Sequence, residues 1–203
     1  MPVSGPLPNK NGRSIPAHAF DNLSYAVAGH CHPPTLLMET IEKSIDIDCP
    51  VRAVYNQWTQ FEQFPEFMEG VKAVRQIDDR SMVWEAEIAG RTKTWEAEIF
   101  EQRPDERIAW RSMSGTMNSG MVNFEPIDAT HTRITLRLSY KPQGIVESIG
   151  DQLGLVSSRV TGDLKRFKEW IEHGLSVPDG WRGEIKGRVV YPGGKPESFT
   201  SGA

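Results

Sequence analysis

The sequence predicts an α+β fold, and three observations carry that prediction. Apolar and polar residues alternate with period two from Val71 to Tyr140, the pattern changes to a 3.6-residue period from about Ile145 to His173, and one strand with two short helices precedes both.

The first 36 residues hold six of the 14 prolines and no sustained periodicity, which predicts a flexible arm over 1–36. A first strand is expected from Thr40 to Asp48, where Ile41, Ile45 and Ile47 are separated by Glu42, Ser44 and Asp46. Cys49-Pro50 reads as a strand-to-helix junction, because proline is tolerated in a helix's first turn. Val51, Val54, Tyr55 and Trp58 follow at helical spacing, and Phe61, Phe64 and Phe67 around Pro65 predict a second short helix packed by aromatics.

Six strands follow: Val71 to Asp78, Met82 to Ala89, Thr94 to Gln102, Arg107 to Met113, Gly120 to Ile127 and Thr132 to Tyr140. The breaks between them carry turn chemistry, including Asp78-Asp79, Gly90, Pro104-Asp105 and Gly115, and connections this short favour an antiparallel meander. Within it the pentapeptide Trp-Glu-Ala-Glu-Ile occurs twice, at 84–88 and 95–99. Alternation puts Trp84, Ala86 and Ile88 on one face, as it does Trp95, Ala97 and Ile99, and leaves Glu85, Glu87, Glu96 and Glu98 on the wet face. Arg107 and Arg111, then Arg133 and Arg137, are the expected counter-charges on later strands.

Val146, Ile149, Leu153, Val156, Val160, Leu164, Phe167 and Ile171 form one apolar stripe, predicting a helix from about Ile145 to His173. Gly150, Gly154 and Gly162 interrupt it at a cost of about 1 kcal/mol each relative to Ala, which points to close backbone approach or to room for a bound molecule. One helix cannot cover both sides of seven strands. It can fill the concave side of a sheet curled around it, so the expected architecture is a helix-grip arrangement: a curved seven-stranded antiparallel sheet around the long C-terminal helix. The expected organisation is an arm at 1–36, a domain at 39–173 and a tail at 174–203, with Trp181 to Ile185 as a docking segment.

Composition narrows the function. The net charge is −4, and residues 39–173 carry 17 basic against 23 acidic residues, so no basic stripe for a nucleic acid is expected. No stretch approaches the roughly 20 apolar residues of a membrane span. The start, Met-Pro-Val-Ser-Gly-Pro-Leu-Pro, lacks a basic n-region and an apolar run, so a cytoplasmic location is expected. Cys31 and Cys49 lie in different kinds of segment, which argues against a disulfide, and His30-Cys31-His32 lacks a fourth metal ligand.

Three stretches resemble a known family: Phe64-Pro65-Glu66-Phe67-Met68-Glu69-Gly70-Val71, then Glu101 to Ser112, then Gly162 to Lys168. They are similar to the bacterial polyketide cyclase/dehydrase-like branch of the START/SRPBCC superfamily, which also contains coenzyme-Q-binding START-domain proteins. The resemblance covers about residues 39–173 and implies a deep hydrophobic cavity for an aromatic, lipid or isoprenoid-like ligand. The family's cyclases place an Arg and a Tyr or other polar groups in that cavity, and this sequence matches no such set residue by residue.

The expected lining is Trp84, Ala86, Trp95, Ala97, Trp110 and Phe124 from the sheet, with Leu136 beside them and Leu153 and Val156 from the helix. Inward polar groups are few. Ser112 continues the face of Ile108 and Trp110 and can hydrogen-bond a ligand carbonyl, and Tyr140 follows Ile134, Leu136 and Leu138 as a phenol able to donate to a ligand oxygen. The carboxylates face outward, His131 lies in a turn, and no cofactor or metal is expected. Binding or carriage of a hydrophobic molecule is the first expectation. A cyclase or dehydratase acting through Tyr140 or Ser112 is the second, and a protein-interaction module acting through the tails is the third.

Overall fold

The computed structural model describes residues 38–88, 90–141, 149–174 and 178–193. The arm at 1–36, with Cys31 and three of the histidines, lies outside the described residues, as do Val146 and the expected start of the long helix.

Strand β1 spans Glu39–Ile47, helix α1 Val51–Trp58, and a 3-10 turn Phe61–Glu66. The meander follows as β2 (Val71–Gln76), β3 (Ser81–Ile88), β4 (Arg91–Arg103), β5 (Arg107–Ser112), β6 (Asn118–Pro126) and β7 (Thr132–Tyr140). Helix α2 runs Ile149–His173. The sheet is antiparallel in the order β1-β7-β6-β5-β4-β3-β2, so the first strand closes onto the last of the meander. Bulges at Ile99/Glu101 in β4 and Val71/Ala73 in β2 bend their strands, and the curved sheet with α2 on its concave side is the helix-grip fold.

The sheet has nine strands among the described residues, not seven. Residues expected as tail form β8 (Glu184–Lys186) and β9 (Val189–Tyr191). The cause is a mismatch of lengths. β3 pairs with β4 only as far as Ser81 opposite Glu98, and β8 takes up the overhang with Lys186 opposite Glu101 and Ile185 opposite Gln102. Ile185 is fully buried there.

The convex face corrects one charge pairing. Glu98 meets Arg111 at 2.5 Å and Arg80 at 2.8 Å, as cross-strand complementarity requires. Arg133 instead pairs with Asp46 at 2.7 Å, because β7 lies beside β1 and three strands away from β4.

One end of the barrel-like sheet is sealed. Trp58 of α1 packs edge-on against Phe167 of α2 at 4.8 Å and against Phe64 at 5.7 Å, and Tyr55 meets Phe124 of β6 at 5.4 Å. Asp163 of α2 accepts the Glu69 backbone N–H at 2.8 Å and pairs with Arg166, whose Nε donates to the Phe67 carbonyl at 2.8 Å. These contacts fix the middle of α2 to the loop after the 3-10 turn. No helix among the described residues is long and apolar enough to cross a membrane.

Candidate functional site

Register decides which side chains face α2. Ile41, Ile45 and Ile47 of β1 are matched by Leu138, Ile134 and Thr132 of β7, and these in turn by Gly120, Phe124 and Pro126 of β6. The same rows continue through Ile108, Trp110 and Ser112 of β5, Ala97 and Ile99 of β4, and Met82, Trp84 and Ala86 of β3. The inward face inferred from the paired pentapeptides is therefore the concave face. Trp84 and Trp95 sit directly opposite each other and stack at 5.9 Å with an interplanar angle of 10°.

Burial along that face is uneven. On α2, Val160, Leu164, Phe167 and Ile171 are buried, whereas Leu153 and Val156 on the same stripe are only half-buried and Leu155 beside them is 72% exposed. On β7, Ile134 is fully buried, Leu136 nearly so, and Leu138 and Tyr140 are half-buried. Both elements loosen toward the same end, the end carrying Ser112, Asn118 and Tyr140, where Met113 and Met117 are also exposed. Apolar side chains of α2 and β7 are thus incompletely covered at this end, while a cavity of about 800 Å³ opens at the other end of α2, lined by Gln57, Gln63, Glu66, Arg166, Trp170 and His173.

The expected lining residues divide accordingly. Trp84, Ala86, Trp95 and Ala97 lie buried side by side on β3 and β4, while Trp110 and Val156 pack half-buried against the core. Leu136 lies one row deeper than Leu138. Phe124 is set apart, in the sealed end among Tyr55 and Trp58. Trp110 lies flat across Gly120, its partner on β6, so that a Cβ there would run into the indole. Gly120→Ala is expected to push Trp110 toward the interior, with altered Trp110 emission as the measurement.

Gly154 and Gly162 do not serve close approach, and the surroundings of Gly150 lie outside what the structure describes. A Cβ at Gly154 meets no atom within 4 Å, and one at Gly162 meets only the Arg166 guanidinium of its own helix. Gly154→Ala should therefore raise stability by about 0.5–1 kcal/mol in a denaturant titration, and a destabilised variant would mean that position is filled.

Among the described residues, two polar atoms on the concave side are sealed from solvent without a hydrogen-bond partner: Trp84 Nε1 and the Tyr140 hydroxyl. A buried donor left unpaired costs about 1–3 kcal/mol. Burial, and secondarily the charge of Glu39 opposite it, pushes the Tyr140 phenol up, so it stays protonated and able to donate at neutral pH. Ser112 is already engaged, its Oγ accepting the Asn118 backbone N–H at 3.0 Å across the β5–β6 turn.

A second polar cluster was not visible in the sequence. The Tyr55 hydroxyl accepts Gln102 Nε2 at 2.8 Å, and burial pushes its pKa up to about 12. The Arg182 guanidinium lies 5.3 Å over the Tyr55 ring and grips Asp105 with two bonds of 2.6 and 2.5 Å. Tyr55 reads in sequence as part of a helical stripe, and Arg182 lies about 80 residues from its partner. The one local signal is Pro104-Asp105, whose Asp105 adopts φ 64° in the β4–β5 turn.

With this geometry in view, the likeness to known proteins is informative. The model of the family described as polyketide cyclase/dehydrase and lipid transport matches residues 47–169. An uncharacterised 17.2 kDa protein of Streptomyces lincolnensis is 42% identical over 149 residues, covering 73% of this chain and 99% of that protein. A solved structure from Deinococcus radiodurans is 32% identical with a TM-score of 0.55, covering 68% of this chain and 99% of its own. An aromatase/cyclase of a Streptomyces strain shares the fold at 15% identity and a TM-score of 0.58, covering 71% of this chain and 99% of its own. The matched family region ends before β8 and β9.

Proposed function

This chain belongs to the polyketide cyclase/dehydrase and lipid transport family of START/SRPBCC-type proteins, and from that premise we propose that it binds or carries a hydrophobic small molecule. On this reading the site is the interior between the Trp84 and Trp95 face of the sheet and the incompletely covered N-terminal half of α2. The observation that carries this reading is the burial gradient along α2, where one continuous apolar stripe is buried from Val160 to Ile171 and only half-buried at Leu153 and Val156. A stripe evolved only for core packing would be buried along its whole length.

Flat aromatic compounds, quinones among them, suit a wall of stacked indoles. Titration with a panel of quinones and aromatic polyketides should quench the emission of Trp84 and Trp95 saturably. Absence of quenching across the panel would remove the binding reading.

The unpartnered Tyr140 hydroxyl favours a second reading, a cyclase or dehydratase in which that phenol donates a proton to a substrate oxygen. On this reading Tyr140→Phe lowers turnover at least tenfold with ligand affinity little changed, a magnitude ordinary for loss of a general acid. Equal rates in the two proteins would leave binding as the whole activity.

A further inference from the structure

We propose that Trp84 is the specificity-determining residue of the site, its indole N–H selecting ligands that present a carbonyl oxygen to the inner wall. The proposal rests on the binding reading and names the ligand chemistry which that reading leaves open.

Trp84 is 9% exposed, and its Nε1 is sealed without a partner. Among the described residues no acceptor lies within hydrogen-bond reach of it. Trp95 stacks on it, Phe64 packs edge-on at 5.7 Å, and the inward residues around it on β2, β3 and β4 are Val74, Met82, Ala86 and Ala97. Backbone carbonyls nearby are committed to the β2–β3–β4 ladders. An indole nitrogen only donates, so the atom that satisfies it must be an acceptor. A hydrocarbon entering this wall gains contact area and leaves the donor unpaired, whereas a carbonyl of the same outline also relieves the unpaired donor. Nε1 is closed off in the present conformation, so a ligand reaches it only by displacing side chains packed against the wall.

Fluorenone and fluorene make a matched pair, since they share one flat outline and differ by a carbonyl in place of a methylene. Calorimetric titration of the full chain should show fluorenone binding about tenfold more tightly than fluorene. In Trp84→Phe the two should bind within about twofold of each other. In 15N-labelled unaltered protein, the Trp84 indole N–H resonance should move downfield with fluorenone and not with fluorene, a readout independent of how the variant folds. Equal affinities in the unaltered protein, a preference that survives in Trp84→Phe, or an unmoved indole resonance would overturn the role of Trp84 while leaving the interior a binding site. Failure of both compounds to bind would overturn the binding reading itself.

Discussion

A chain ended after Gly174 melts roughly 5–10 °C below the full-length protein. The segment it loses contributes one fully buried side chain, Ile185, to the core, and burying an isoleucine contributes about 1.5–3 kcal/mol. Half-buried Trp181 and Val190 pack against the same core. Removal also uncovers the last residues of β4, where Gly187 N–H donates to the Phe100 carbonyl at 2.7 Å and Gln102 faces Ile185. A bare edge at that position invites pairing with a second chain, so the shortened protein should also aggregate sooner on heating. The Arg182 guanidinium leaves the Tyr55 ring, and Asp105 loses both of its bonds. Within the full chain, Ile185→Ala reports the packing share alone, at about 2–4 kcal/mol in a denaturant titration. A melting temperature within about 2 °C of the parent would make β8 and β9 an appendage and not part of the core.

That hairpin is held by features no local sequence pattern encodes. The meander, the order of helices and the inward face of each strand could be read from local rules, because a period of two or 3.6 residues is written in consecutive side chains. Trp84 opposite Trp95 needed only two strands joined by a short turn. The seating of Ile185 against Gln102 depends on β4 being longer than β3, a difference of strand lengths that no local pattern encodes. The same holds for Arg133, whose partner Asp46 lies 87 residues away and becomes a neighbour only when β1 closes onto β7. At the site, alternation identified Tyr140 and Trp84 as inward-facing. It could not reveal that both end as unpartnered donors, since that depends on what the other strands fail to offer.

Phe167→Ala should cost about 3–5 kcal/mol, while Leu153→Ala on the same stripe should cost under about 1 kcal/mol. Phe167 is fully buried between Trp58 at 4.8 Å and Phe67 at 5.1 Å, and truncating it leaves a hole that these two rings cannot collapse to fill. A domain of ordinary stability, about 5–15 kcal/mol, would lose a large share of it. Leu153 is half-buried at the loosened end, so its methyl groups have less area to lose and water can take their place. Ligand affinity should reverse the ranking: Leu153→Ala weakens binding by several-fold, whereas Phe167→Ala leaves it intact at temperatures where the variant stays folded. Denaturant titrations of both variants beside a binding isotherm make the comparison. Should Leu153→Ala destabilise the protein as much as Phe167→Ala, α2 is packed end to end and there is no cleft for a ligand to enter. If the two costs separate as expected, the C-terminal half of the helix anchors the fold and the N-terminal half is kept loose for the ligand.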